Sequence, residues 1–292
     1  MLLAAVTGAL FAWPAGSAHA ADQITVDVNA PKRVELLKKL QIKGAVTNPA
    51  PGEVVTVTVT ASGRELFAKK ITPGEGGSFA LPLTVDACCG YVVSAEIGAH
   101  QANEGFKVSV PKKLGKSPKT ALFNRALQAQ GFHTGTKGSR VTLGTRLAIK
   151  AFRKTNGMAR SQAYNRSIFR TLLQGKGAFR PQFSDGRHVE VDISRQVMSL
   201  IEGDTPVHTF HVSTGAGGTP TVRGNFRFYL RQAGYNGKRM YYSIYFHGGY
   251  ATHGFNPVPN GPASHGCVRN PIPFSRFIYN WVQIGMPVHV YG

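Results

Sequence analysis

Two short blocks near the C-terminus hold the residues best suited to chemistry: Thr252-His253-Gly254-Phe255 and Pro262-Ala263-Ser264-His265-Gly266-Cys267-Val268-Arg269. A thiol attacks well only as thiolate, so it needs a base within about 3 Å and positive potential to hold the anion. His253 and His265 are bases close in sequence, and Arg269 supplies positive charge. Gly266 allows close backbone approach and a positive φ. A turn leading toward a helix would direct backbone N–H groups at a developing oxyanion. The roles needed for acyl transfer through a thioester thus lie between residues 253 and 269. His247-Gly248 is a second His-Gly pair, 20 residues before Cys267 against 14 for His253. Either imidazole could serve as the base, and a strand-end position lining the cleft is the other reading of His247. His247, His253, His265 and Cys267 could in principle ligate zinc, but their spacing fits no common zinc pattern. No metal is expected, and the sequence offers no cofactor-binding motif.

The elements that must carry these blocks are mostly strands. His188–Ile193, Val197–Ile201, His208–Ser213, Phe226–Leu230, Tyr241–His247 and Met286–Tyr291 read as strands, and Phe274–Gln283 as a helix. Residues 181–292 therefore form a mostly β domain. One face of the Tyr241–His247 strand (Tyr241, Ser243, Tyr245, His247) is expected to line a substrate groove.

Upstream the pattern changes. Leu122, Phe123, Ala126 and Leu127 fall on one helical face, as do Leu147, Ala148, Ala151 and Phe152, and then Ile168, Phe169, Leu172 and Leu173. Gly131, Gly157 and Gly175 supply the stops. Residues 111–180 are thus a three-helix unit. Residues 42–110 read as a small β-sandwich around the alternating run Val54–Thr60, with 21–41 as a linker. The fold class is multidomain and mainly β. Cys88 and Cys89 are expected as two separate, half-buried strand residues, which leaves Cys267 as a lone thiol.

Charge is unevenly distributed. Of the net +20, residues 1–110 contribute nothing, with 9 basic and 9 acidic side chains. Residues 111–180 hold 16 basic residues and no Asp or Glu. Such asymmetry points to a polyanionic partner. Composition excludes a polytopic membrane protein and a wholly disordered chain. The uncharged run Leu2–Trp13 is too short to span a bilayer, and Ala18-His19-Ala20 resembles a cleavage site. Residues 1–20 are expected to be a signal peptide, placing the chain outside the cytoplasm, in periplasm or cell wall. Export argues against nucleic acid as the polyanion, and no membrane span is expected.

The block Ser264-His265-Gly266-Cys267-Val268-Arg269, with His253-Gly254 before it and Gly217–Gly224 containing Thr219-Pro220-Thr221, resembles the signature of the L,D-transpeptidase (YkuD-like) catalytic domain. The resemblance implies Cys267 as nucleophile and His253 as general base, oriented by the Gly254 carbonyl. It implies an oxyanion hole from amides around His265, Gly266 and Cys267, with Ser264 and His265 shaping the loop. Arg269 would hold the loop or a donor carboxylate. Tyr245 and His247 are the remaining candidates for substrate contact. The substrates implied are peptidoglycan stem peptides, as acyl donor and acceptor. Water as acceptor would make the enzyme an L,D-carboxypeptidase, and a dead site would leave a wall-binding scaffold. Residues 111–180 resemble a peptidoglycan-binding domain through Leu127…Gly131-Phe132, Thr145…Ala148-Ile149…Ala151-Phe152-Arg153…Gly157-Met158 and Phe169…Leu172, without that family's Asp-Gly turns. Their cations are expected to meet anionic wall polymers.

Overall fold

The valine–threonine alternation becomes a strand buried on one side: Val55, Val57 and Val59 are inside, with half-buried threonines between them, as a period of two requires. The computed structural model describes residues 23–27, 31–135 and 138–292; the expected signal peptide lies outside these. Strands β1 (Ile24–Asp27), β2 (Arg33–Glu35), β3 (Lys39–Val46), β4 (Val55–Ala61), β5 (Arg64–Ile71), β6 (Ser78–Thr84), β7 (Gly90–Ile97) and β8 (His100–Ser109) make two sheets, ordered β1-β3-β6 and β2-β8-β7-β4-β5. The segment 21–41 is not the linker expected. It supplies β1, β2 and the start of β3, and buries Ile24, Val34 and Leu36. Its apolar runs are short, and pairing with β3 and β8 makes strands of them. Cys88 and Cys89 are also corrected. They lie in the loop between β6 and β7, joined to each other by a disulfide across a cis peptide bond. Ser62 Oγ holds that peptide, donating to Cys88 O (3.0 Å) and accepting from Cys89 N (2.8 Å).

Helices α1 (Pro118–Ala129), α2 (Leu143–Thr155) and α3 (Arg166–Leu173) follow. Each begins at a side-chain cap: Ser117, Thr142 and Asn165 accept from the N–H groups of Thr120, Thr145 and Ile168. Each ends alike. Gly131, Gly157 and Gly175 take φ of 77°, 64° and 69°, and the next residue's N–H reaches back to the carbonyls of Leu127, Arg153 and Thr171. This double-bonded ending needs a left-handed residue at its turn, which glycine adopts without a Cβ clash.

The third region comprises β9 (Arg187–Asp192), β10 (Val197–Glu202), β11 (Thr205–His211), β12 (Gly224–Arg227), β13 (Leu230–Tyr235), β14 (Tyr241–His247), β15 (Tyr250–Phe255), β16 (Val268–Pro271), helix α4 (Ile272–Trp281) and β17 (Pro287–Tyr291). One sheet runs β11-β10-β9-β17-β12 and the other β13-β14-β15-β16. With 42% strand against 17% helix, the chain is mainly β. The single strand expected over Phe226–Leu230 is two, in different sheets. The break falls where Phe228 N bonds to Met286 O (3.1 Å) and Tyr229 N to Tyr245 O (3.0 Å), one residue to each sheet.

The helical unit docks on β11. Phe132 bridges to Thr209, and a Cβ on Gly131 would lie 2.1 Å from Pro206 O. The His133 ring stacks edgewise and tilted among His208, Phe210, Phe274 and Phe277, with its Nδ1 3.2 Å from His208 Nδ1. Burial, reinforced by His208, pushes His133 down to about 4, and burial with the neighbouring lysines holds His211 far below its ordinary value. The unfolded chain therefore takes up protons before the folded one as pH falls. The contribution of these histidines to stability should be complete above about 6.5 and decline toward about 4. Urea unfolding across that window tests this; a midpoint constant over the range would contradict it.

Candidate active site

Strands β15 and β16 run parallel, with Thr252 opposite Val268 and His253 opposite Arg269. Alternation places His253 and Phe255 on the same face as Arg269, and the Arg269 guanidinium does lie 4.1 Å over the Phe255 ring. Carried back one step, the register sets Cys267 beside Ala251 on that face. Tyr245 of β14 pairs with Ala251 from the other side. Tyr245, Ala251 and Cys267 thus form one row, with His253 a step along. The opposite face enters the core. Asn270 Nδ2 donates to Thr252 Oγ1 (3.0 Å), and Ser275 Oγ of α4 donates to Asn270 Oδ1 (2.6 Å). Gly254 has no room for a side chain: a Cβ would sit 2.4 Å from Ser275 Oγ.

His253 is 5% exposed, and its Nδ1 lies 2.9 Å from Gly254 O. Donation of Nδ1–H to that carbonyl leaves the Nε2 lone pair as the proton acceptor. Burial holds His253 below its usual pKa, opposed by the Gly254 bond and helped by Arg269. Burial pushes the Cys267 thiol up, against an Ala251 backbone hydrogen bond and the charges of Arg269 and Lys238. Both groups rest neutral at neutral pH. The sulfur lies 3.8 Å from Gly249 O and 4.0 Å from Met240 Sδ.

Hydroxyl groups hold the loop before Cys267. Thr219 Oγ1 donates to Ser264 O (3.0 Å) and Thr221 Oγ1 to Gly266 O (2.7 Å), while Thr221 Oγ1 accepts from Gly215 N (2.8 Å). Ser264 Oγ donates to Cys267 O (2.5 Å) and accepts from Gly266 N (3.1 Å). That last bond engages the Gly266 amide inside the loop. Gly266 itself takes φ 109°, and a Cβ there would strike the Tyr250 ring at 2.4 Å. Arg269 Nη1 donates to Ala263 O (3.0 Å).

Deeper support crosses into the helical unit. Thr214 O accepts from Ala263 N (2.8 Å) and Ser264 N (3.0 Å). The Gln196 side chain grips Thr214, its Nε2 donating to Oγ1 (2.5 Å) and its Oε1 accepting from Thr214 N (2.9 Å). Lys154 of α2, 2% exposed, donates to Gln196 O (3.3 Å) and Val212 O (2.8 Å). Burial, then the charges of Lys150 and Arg160, lower it to about 7. Sequence reasoning missed Lys154, Gln196 and Thr214, which carry no local signal. It met Thr219 and Thr221 only as part of a turn.

The other candidates separate. His265 is exposed on the loop, and His247 is exposed at the end of β14 against Phe226 (4.9 Å) and Tyr250 (6.0 Å). The buried, carbonyl-anchored imidazole is that of His253. The Tyr245 hydroxyl donates to Gln232 Oε1 (2.7 Å) and accepts from Asn236 Nδ2 (3.1 Å). Burial raises its pKa, and Cys267 contributes through its charge. The expected common face of Tyr241 and Tyr245 fails at a register shift around Tyr242, which takes φ 50°. Tyr241 pairs with Gly254 and falls on the opposite side. Among the described residues, no group of three or more His, Cys, Asp or Glu side chains could hold a metal ion.

Residues 186–290 match the YkuD family, the L,D-transpeptidase catalytic domain. The crystal structure of residues 123–326 of an L,D-transpeptidase from Xylanimonas cellulosilytica is 27% identical, with a TM-score of 0.57, over 63% of this chain and 98% of that one. An L,D-transpeptidase structure from Stackebrandtia nassauensis is 22% identical, with a TM-score of 0.39, over 63% of this chain and 96% of that one. No curated protein matches. The C-terminal region therefore carries an enzyme domain of the L,D-transpeptidase class.

If Thr221 holds the loop, Thr221→Val should slow alkylation of Cys267 by iodoacetamide roughly tenfold and destabilise the fold by about 1–3 kcal/mol, by leaving Gly266 O and Gly215 N without their partner. A destabilised variant whose thiol reacts at the native rate would contradict the positioning role.

Proposed function

We propose that the chain is an exported cysteine transpeptidase that remodels peptidoglycan stem peptides by acyl transfer through a thioester on Cys267. The observation that carries this reading is the arrangement of a half-buried thiol and a buried imidazole on one sheet face, the imidazole's Nδ1 set against Gly254 O. The resting pair is neutral, so His253 Nε2 takes the thiol proton as the sulfur attacks. The carbonyl attacked is that of the third, L-centred residue of a tetrapeptide stem. The C–S bond forms, the C–N bond to the terminal D-Ala breaks, and the leaving amine recovers the proton from His253. An amine of a neighbouring stem then attacks the thioester. The new C–N bond forms, the C–S bond breaks, and Cys267 regains its proton through His253. Water in place of the amine gives hydrolysis.

The amides of His265 and Cys267, rather than that of Gly266, face the developing oxyanion in this reading. Tyr245, fixed by Gln232 and Asn236, borders the donor. Residues 111–180, which hold sixteen cations and no acid, contact anionic wall polymers through those at the surface, Lys154 being turned inward. Among the described residues no helix is long and apolar enough to cross a membrane.

Intact-mass spectrometry after mixing with a tetrapeptide donor tests the reading. The native chain should gain the mass of the stem less D-Ala. Cys267→Ala should gain nothing, and His253→Ala should acylate about 10²–10⁴-fold more slowly. An adduct on Cys267→Ala, or full-rate acylation without His253, would refute it.

A further inference from the structure

The helical unit meets the catalytic domain at a second place, away from the thiol. A cleft of about 210 Å³ lies between α2 and the turn after β15, with Lys150 and Gln162 on the helical side and His211, Phe255 and Ile272 on the other. Three basic groups gather here without an acid. Lys150 is 9% exposed and makes no hydrogen bond or ion pair. Lys154 beside it is satisfied by the carbonyls of Gln196 and Val212. His211 is 2% exposed, and neither ring nitrogen has a hydrogen-bond partner. Buried polar groups in folded proteins are nearly always paired, so the two bare ring nitrogens of His211 are the groups here that lack what a folded interior normally supplies. Apart from Asn256 the remaining walls are aliphatic, including Leu143 and Leu147. A small concave apolar site with a few convergent polar groups is the form that binds small ligands.

The residues define what would satisfy them. The Lys150 ammonium calls for an anion. A neutral imidazole offers one donor and one acceptor, and Gln162 offers an amide. A group carrying a carboxylate next to an amide N–H meets all three, and the aliphatic walls admit a short side chain. We propose that this interdomain cleft is a binding site for a peptide C-terminus, taking the carboxylate on Lys150 and the adjoining amide on His211 and Gln162. That the terminus comes from a stem peptide rests on the functional reading above; the site's chemistry does not. The same chemistry would accept a free N-acylated amino acid. The site touches the catalytic loop through one ring, since Phe255 lines the cleft and carries the Arg269 guanidinium.

The test is acetic anhydride labelling of the full-length chain, mapped by mass spectrometry, with Lys113 as internal reference. N-acetyl-D-alanine at ten times its dissociation constant should slow labelling of Lys150 roughly tenfold and leave Lys113 unchanged. Its C-terminal amide and inorganic phosphate should protect neither. The same carboxylate should raise the melting temperature of the native chain but not of Lys150→Met. A tetrapeptide and N-acetyl-D-alanine compared at equal concentration separate the two sources: tighter protection by the tetrapeptide assigns the site to stem ends. Protection should persist in Cys267→Ser, so failure of the acylation test leaves this one standing. No protection of Lys150, or equal protection by the amide or by phosphate, would overturn the proposal.

Discussion

The structure depends on the hydroxyl bonds from Thr219 and Thr221 to the carbonyls of Ser264 and Gly266. The loop before Cys267 contains a residue at φ 109° and belongs to no strand. Left alone it would have many conformations. Each threonine converts a loop carbonyl into a fixed point, and Ser264 Oγ closes the remaining turn by bridging Gly266 N and Cys267 O. Cys267 therefore enters β16 in the register that sets its sulfur beside Ala251 and a step from His253. These bonds are inside the protein, where an unmatched carbonyl is costly, so the loop has little reason to open.

This support continues beyond the catalytic domain. Thr214 holds Ala263 and Ser264, Gln196 holds Thr214, and Lys154 of α2 holds the carbonyls of Gln196 and Val212. The helical unit is thus hydrogen-bonded into the frame behind the nucleophile as well as carrying the chain's positive charge. Its glycine at 131 serves two purposes, ending α1 in the left-handed region and permitting the close approach of Pro206.

Much of this was legible in the sequence, for physical reasons that differ by element. The helix faces and their glycine stops were readable because 3.6-residue periodicity and left-handed caps are local. The strand Tyr241–His247 was readable because its aromatic and β-branched residues favour extended backbone. β15 and β16 were not, since Tyr-Ala-Thr-His-Gly-Phe carries no alternation and its strand character comes from pairing. The linker assigned to 21–41 failed for the same reason. Cys267 and His253 stood out by type and spacing. Lys154 did not: in a segment of sixteen cations, nothing local marks it as buried. The engagement of the Gly266 amide and the face change at Tyr242 likewise depend on neighbours distant in sequence.

The account centres on a neutral thiol that shares a sheet face with a neutral imidazole whose Nδ1–H is committed to Gly254 O. Nitrogen-15 spectroscopy of the His253 ring reads that state directly. At about pH 7 the shifts should report a neutral ring protonated at Nδ1, with Nε2 as the unprotonated nitrogen. A doubly protonated ring beside a Cys267 thiolate at that pH, or a ring protonated at Nε2, would contradict the account.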